Sequence, residues 1–347
     1  MNNLKTISVS DCDRWDSIVR SFMTFDVYYL NGYVKAFQLH GDGEPLLFYY
    51  EGQNLRGINV VMKRDIALDP HFRGVLPENT YYDFATPYGY GGWLIEGDGD
   101  PDPLFVAYDS WCQINSIVSE FVRFHPVLKN SINTEGYYEV FPLGGTIAID
   151  LTSPETIWEN YTSKNRNMIR KAQKNGVKIY NGRSSALFKT FKDIYDVTMD
   201  KDGADSYYYF PISFYESILN DLPQSAQVFY AEKDGITIAT AILLRSGVRL
   251  NYHLSGSKQE FQNLAPTNLL LHEAALWGYA NGCQTLHLGG GVGSGEDSLY
   301  RFKKSFYRGD PCQYYIGKKI FLTELYDELV SKREALPDNC FFPRYRA

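Results

Sequence analysis

The chain has 347 residues, too many for one ordinary core, so two domains are expected. Its net charge of −7 excludes a general nucleic-acid-binding protein, although a local basic surface remains open. The five cysteines, Cys12, Cys112, Cys283, Cys312 and Cys340, contain no C-x-x-C pair, which excludes a zinc framework and points to reduced thiols in a cytoplasmic protein.

The first residues lack a basic-then-apolar leader, and no apolar run approaches bilayer length, so a soluble, intracellular chain without a membrane span is expected. The load of 28 tyrosines and 21 phenylalanines suits a cleft that grips a polar substrate; it is equally a compositional habit. In chain order, Ser10-Asp11 caps a short helix around Trp15, Ile18 and Val19. PLLFYY (45–50) and GINVVM (57–62) read as paired strands. The proline, glycines and tyrosines of 80–95 predict an ordered loop near a site, or a tyrosine-filled structural turn. A helix is predicted over 104–124, with Phe105, Tyr108, Trp111, Ile114, Ile117, Val118 and Phe121 as its apolar face. A strand follows over 137–150.

Ser153-Pro154-Glu155 is a helix start, with a cap, a proline at the first position and an acid in the first turn. The helix is expected to run on through Trp158 and Tyr161 into SKNRNMIRKAQKNGVKIY, where Lys164, Arg166, Arg170, Lys171, Lys174 and Lys178 occur without an acid. Met168, Ile169 and Ala172 form the expected buried stripe. Arg166, Arg170 and Lys174 then repel one another by about a few tenths of a kcal/mol per pair, which suits a face that meets phosphate, a nucleotide or a nucleic-acid backbone. A solvated face with counter-charges from another loop fits the same pattern. Two further helices (187–199 and 211–219) flank a loop with three consecutive tyrosines, and three hairpin-linked strands fill 226–257.

The segment 248–288 reads as strand, helix, strand. Leu250, Tyr252 and Leu254 share one side of the first strand, and Pro266 opens a helix that Asn281-Gly282 closes. The right-handed crossover rule makes the two strands neighbours or near neighbours. That helix carries no acid before Glu273, so its first amides, with Thr267 and Asn268, offer a place for an anion or simply meet water. After it, the run Gly289–Gly295 fails the G-x-G-x-x-G spacing, no P-loop occurs, His272-Glu273 is not H-E-x-x-H, and no metal site is readable. A strand (QYYIGKKIF), a helix over 323–333 and a loose end complete the chain.

Three stretches together resemble the Fem-type aminoacyltransferases of bacterial cell-wall synthesis and their acyltransferase relatives in the GNAT superfamily. The first is W-x-x-Y-x-x-x-x-R-N-x-I-R-K-A-x-K-x-G-V from Trp158 to Val177. The second is Leu299-Tyr300-Arg301-Phe302-Lys303-Lys304-Ser305-Phe306. The third is the A-P-x-N-L-L helix start at Ala265. The loop from Asp83 to Gly92 is more distantly similar. The resemblance implies an α/β (α+β) chain of two GNAT-like domains, 1–152 and a catalytic 153–347, each a mixed, mostly antiparallel sheet flanked by helices. It implies N-acyl transfer, with an acyl or aminoacyl group moving to an amine of a peptidoglycan peptide or an amino sugar.

On that resemblance Lys303 stabilises charge on the reacting carbonyl; His253, on the strand beside it, is a candidate base or a hydrogen-bonded core residue, and Asp83 binds or deprotonates the acceptor amine or simply caps its loop. Donor contacts are expected from Pro266, Thr267, Asn268, Ser255, Ser257, Gly290 and Gly291. Acceptor contacts are expected from Arg166, Asn167, Arg170, Lys171, Tyr88, Tyr90 and Arg301. The expected donor is acyl-coenzyme A, with aminoacyl-tRNA as the alternative, and no metal. The run Gln262–Thr267 lacks both glycines of the coenzyme-A signature, which weakens coenzyme A. Against tRNA stand the acidity and the absence of a heptad arm. A non-catalytic protein with a degenerate transferase fold, binding a cell-envelope glycan or nucleotide-linked precursor, is the rival reading. The oligomeric state is not readable.

Overall fold

The computed structural model describes residues 3–333 and 341–347. Two compact units emerge, one from Met1–Leu143 with Tyr314–Ala347, the other from Gly144–Gln313. The division expected at 152/153 did not include this return of the C-terminal segment to the first unit.

The elements run, in chain order, β1 (Leu4–Ser8), α1 (Cys12–Ser21), α2 (Asn31–His40), β2 (Glu44–Glu51), β3 (Leu55–Asp65), β4 (Tyr82–Ala85), β5 (Leu94–Gly97), α3 (Asp102–Ile114), β6 (Ile117–Arg123) and β7 (Glu139–Asp150). Then follow α4 (Pro154–Asn160), α5 (Ser163–Lys174), β8 (Lys178–Gly182), α6 (Ser185–Asp202), α7 (Ile212–Asp221), β9 (Ala226–Lys233), β10 (Ile236–Ser246) and β11 (Arg249–Ser257). The chain ends with α8 (Pro266–Ala280), β12 (Thr285–Gly289), α9 (Ser298–Lys304), β13 (Cys312–Ile320) and α10 (Thr323–Ser331).

In the first unit the strand order is β1-β2-β3-β4-β6-β13, antiparallel except for the parallel pair β4/β6. In the second it is β8-β9-β10-β11-β12-β7, antiparallel except for the parallel pair β11/β12. Each parallel pair is bridged by a helix, α3 or α8, as parallel neighbours require. Phe48, Trp93, Leu104, Tyr108 and Ile117 centre the first core. Ile149, Tyr161, Ile169, Leu250, Leu270 and Phe306 centre the second.

Three expectations change. The helix predicted over 104–124 stops at Ile114; Ser116 adopts φ 57°, which ends a right-handed helix, and Ile117–Arg123 is a strand. That strand is buried almost continuously, so it shows no period-two alternation to separate it from a helix. The basic helix is likewise not continuous with the one before it. Tyr161 is extended (φ −72°, ψ 144°), and Thr162 restarts the chain by accepting the Asn165 amide at 3.2 Å on its Oγ1. The loose end is replaced in part: residues 334–340 lie outside the described residues, but Tyr345 is fully buried and bonds Ser119 and Asp83 at 2.9 Å each.

Candidate functional site

The second unit's parallel pair is short. Arg249, Leu250 and Asn251 pair with Thr285, Leu286 and His287, and the register goes no further, although β11 continues to Ser257. An irregularity lies on the other side of β11. Opposite β10, Leu254 pairs with Ile242 and Tyr252 with Leu243, so His253 is the extra residue of a β-bulge. A bulge bends its strand and re-aims a side chain. The bulge follows directly on Asn251, the last residue of β11 that pairs with β12. Burial lowers the His253 pKa to about 3, so its ring is neutral at pH 7 and a weak base.

At the end of β12 the chain enters Gly290-Gly291. The Gly290 carbonyl accepts a hydrogen bond from Lys303 Nζ at 2.6 Å. Lys303 is nine-tenths buried, and this desolvation lowers its pKa to about 8, against the pull of the Asp297 carboxylate. It is therefore a mostly charged ammonium at pH 7, held just after β12, with donors left for a ligand. Gly291 makes no room for a side chain: a Cβ there would collide with the Gly295 carbonyl and the Asp297 carboxylate. The glycine run thus packs the loop that holds Lys303.

Helix α8 begins with Ala265 at φ 56°, ψ 45° and Pro266 in the first turn, with no side-chain cap and no acid. Its first amides and the positive end of its dipole face outward unneutralised. Asn268 donates to Asn165 Oδ1 at 2.8 Å, fastening this helix start to the basic helix α5. Asn165 is buried and its own Nδ2 has no partner, so a polar donor is left over beside the α8 start. Asn165, not Met168, completes the stripe with Ile169 and Ala172; its amide reads as surface in a one-dimensional pattern.

The cations of α5 divide in two. Arg166 is spent locally, donating to the carbonyls of Trp158 at 3.3 Å and Tyr161 at 2.9 Å at the end of α4. Arg170 lies over the Trp158 ring at 5.2 Å, bonds Asn167 Oδ1 at 3.4 Å and is exposed, as is Lys171. Trp158 and Tyr161 pack on His272 of α8, at 5.3 and 5.6 Å, and Tyr161 packs on Phe306 just beyond α9. An aromatic box therefore joins α4, α8 and the end of α9, with Arg170 at its edge. Burial lowers the His272 pKa to about 4.

Other expected residues are engaged elsewhere. Ser255 accepts the Tyr252 hydroxyl, and the Ser257 amide donates to Thr198 Oγ1 at 3.0 Å; Ser257 also lines an open cleft of about 640 Å³ with Asp193 and Lys201. Arg301 donates to the Glu296 carbonyl at 3.1 Å. In the first unit, Tyr88 stacks on Phe37 at 5.5 Å, and Tyr90 packs edge-on to Tyr28 and Tyr314, each at 5.5 Å. Asp83 is not available as an amine ligand or base. It is fully buried, bonded to Arg64 at 2.7 Å, Arg346 at 2.6 Å and Tyr345 at 2.9 Å. Burial alone would raise its pKa; the two guanidiniums override this and hold it below the usual carboxylate range.

Among the described residues, no group of His, Cys, Asp and Glu side chains could hold a metal ion, and no helix is long and apolar enough to cross a membrane. The second unit's strand order, with one short parallel pair bridged by a helix whose start is uncapped, is that of a GNAT-type fold. Residues 163–304 match the family model described as an acetyltransferase (GNAT) domain. The chain is also similar in sequence to a bacterial alanyltransferase. It is 28% identical over 191 residues to the UDP-N-acetylmuramoylpentapeptide-lysine N(6)-alanyltransferase of Weissella viridescens; the match covers 53% of this chain and about half, 55%, of that protein. In three dimensions it resembles the crystal structure of FemX, with TM-score 0.68 at 15% identity over 93% of this chain and 99% of that one. It also resembles the C-terminal domain of a putative lysylphosphatidylglycerol synthetase from Agrobacterium fabrum, with TM-score 0.55 at 14% identity over 93% and 97%.

Proposed function

We propose that the second unit is an N-acyltransferase that moves an aminoacyl group from an activated ester to an amine of a peptidoglycan precursor, a UDP-linked muramoyl peptide. The observation that carries this reading is the Lys303 ammonium docked on the Gly290 carbonyl, immediately after β12, whose pairing with β11 stops at Asn251. An ester carbonyl bound beside the end of β12 would meet Lys303. The acceptor amine attacks the carbonyl carbon, the C=O electron pair moves to oxygen, and the ammonium stabilises the resulting oxyanion more than the ground state. Collapse forms the amide and expels the ester alcohol; the proton lost by the amine goes to solvent and another returns to the leaving oxygen. His253 is too weak a base to carry that proton.

Aminoacyl-tRNA is the donor this site suits better than acyl-coenzyme A. The glycines that would let a pyrophosphate approach the α8 start closely are replaced by Ala265 and other side-chain-bearing residues. The exposed Arg170 and Lys171 supply cations for the diphosphate of the acceptor. The experiment is a transfer assay with alanyl-tRNA or acetyl-coenzyme A as donor and UDP-muramoyl-pentapeptide as acceptor, read by mass spectrometry of the acceptor. A gain of one aminoacyl residue, lost on Lys303→Ala with acceptor affinity retained, is the expected result. Unchanged precursor with both donors, or transfer untouched by Lys303→Ala, overturns it. Activity is also expected to fall above about pH 8, where Lys303 loses its proton.

A further inference from the structure

Asp297 lies outside the three stretches that carry the family likeness, yet it is the residue around which the lysine loop is built. Its Oδ1 accepts the Tyr300 amide at 2.8 Å and so caps α9, the helix that bears Lys303. Its Oδ2 reaches back to the Val292 amide at 3.1 Å. The carboxylate also fills the space where a Gly291 side chain would stand. One side chain therefore ties the middle of the glycine loop to the first turn of α9. The two ends of this clasp carry the two partners of the 2.6 Å bond, Gly290 and Lys303.

Little else supplies charge there. From β7, Gly144 and Gly145 pack against Ser294, Pro311 and Tyr300, and Gly290 packs on the Gly145 carbonyl. On α9 itself Arg301 and Lys304 are engaged by the carbonyls of Glu296 and Gly309. Burial pulls the Lys303 ammonium towards neutrality, and the Asp297 carboxylate opposes it.

We propose that Asp297 is the positioning residue of this site: its carboxylate clasps the glycine loop to α9 so that Lys303 is docked on Gly290. This rests on the acyl-transfer reading only for its consequence on turnover. The docking is a property of the free protein.

The test separates the two. Purified chain is labelled with trace acetic anhydride across pH 6–11, and the labelled Lys303 peptide is quantified by mass spectrometry to give the half-labelling pH. Asp297→Asn retains an oxygen that can cap α9 but removes the charge. It is expected to lower the half-labelling pH of Lys303 by roughly half a unit or more. Asp297→Glu should restore it at least in part, and Lys233, remote in the fold, should not move in either variant. In the transfer assay, Asp297→Asn should lower kcat roughly 10-fold with KM little changed and move the alkaline limb to lower pH. A Lys303 labelling curve in Asp297→Asn that superimposes on the wild type overturns the proposal, whatever the transfer assay shows. An Asp297→Asn protein that does not fold is replaced by Asp297→Glu, for which a docked, wild-type-like Lys303 is expected and a shifted, over-reactive one would overturn the proposal. Loss of transfer activity in every protein, with the labelling shift intact, would sink the acyl-transfer reading alone.

Discussion

The two units have the same strand plan and opposite treatments of its weak point. Each contains one parallel pair, β4/β6 and β11/β12, where a GNAT-type sheet can part. In the first unit the gap is stitched shut. Beyond β4, the Thr86 amide donates to the Phe121 carbonyl at 3.0 Å, the Arg123 amide donates to Thr86 Oγ1 at 2.8 Å, and the Gly91 amide donates to the Arg123 carbonyl at 2.8 Å. Tyr90, His125 and Tyr28 fill the space behind with rings. In the second unit the bulge at His253 follows the last pair, and nothing comparable joins β11 to β12 beyond Asn251 among the described pairs. The bridging helices differ in the same sense. Helix α3 starts with Asp100 accepting the Asp102 amide at 3.0 Å and Asp102 in its first turn, whereas α8 starts with neither cap nor acid. One copy of the plan has been hydrogen-bonded further along and neutralised, and the other has been left unpaired beyond Asn251 and without acids at its helix start. The likeness teaches that the same strand plan is sealed or left unsealed by local chemistry.

The sharpest way to break this contrast is to exchange the fates of the two buried charged groups. Lys303→Met should leave the protein folded, because methionine fills a similar volume without a buried charge, while transfer falls by about 10²–10³-fold. Asp83→Ala should do the reverse. It strands Arg64 and Arg346 and is expected to cost about 3–5 kcal/mol in urea unfolding, while the folded fraction keeps its turnover. If Asp83→Ala removes turnover at full stability, the first unit is not the closed copy described above.

A second difference lies in how each unit carries a buried acid or base. Glu120 in β6 is buried and hydrogen-bonded to Tyr138 at 2.8 Å, Asn59 at 3.0 Å and Tyr108 at 3.1 Å. Desolvation outweighs these donors and raises its pKa from 4.5 to about 7. Below pH 4.5 the carboxyl is protonated in both folded and unfolded chains. Between 4.5 and 7 the unfolded chain ionises first, so the folded state loses stability as pH rises, by on the order of 3 kcal/mol, and no more above that window. Glu120→Gln should flatten this part of the stability–pH curve and leave the protein more stable at pH 8. An unchanged slope in urea melts at pH 5, 6 and 7 would show that Glu120 is not the group responsible.

How much of this could be read from the amino acids depends on whether the deciding contact is local. The start of α8 was legible because Pro266, the missing acids and Asn281-Gly282 are signals within one helix. Lys303 was legible through the Phe-Lys likeness, and the reason for its burial was not, since the Gly290 carbonyl that holds it is contributed by a loop with no side chain of its own. Asp83 looked like a free acid in a tyrosine loop because two of its three partners, Tyr345 and Arg346, are more than 200 positions away. The bulge at His253 left no mark in an otherwise regular alternation, because the extra residue is defined by the register against β10. Arg166 and Arg170 look equivalent along the helix, and the break at Tyr161 is what gives one of them carbonyls to cap.

The smallest effect probes the helix starts directly. Thr267 occupies the second position of α8, where its first-unit counterpart α3 has acids close by. Thr267→Asp would give α8 the charge that α3 already has. Complementing the dipole is expected to stabilise the protein by about 0.3–1 kcal/mol, seen as a small rise in Tm. The same carboxylate would repel an anionic donor, so KM for the donor, or its Kd by titration with unreactive aminoacyl-tRNA analogue, should rise by roughly tenfold at low salt and less at high salt. The matched change in the closed copy, Asp102→Asn, should lower stability by a few tenths of a kcal/mol, on the order expected for one first-turn charge, and leave donor binding alone. Thr267→Asp binding the donor as tightly as the wild type would mean that the open, unneutralised helix start is a feature of the fold that no substrate uses.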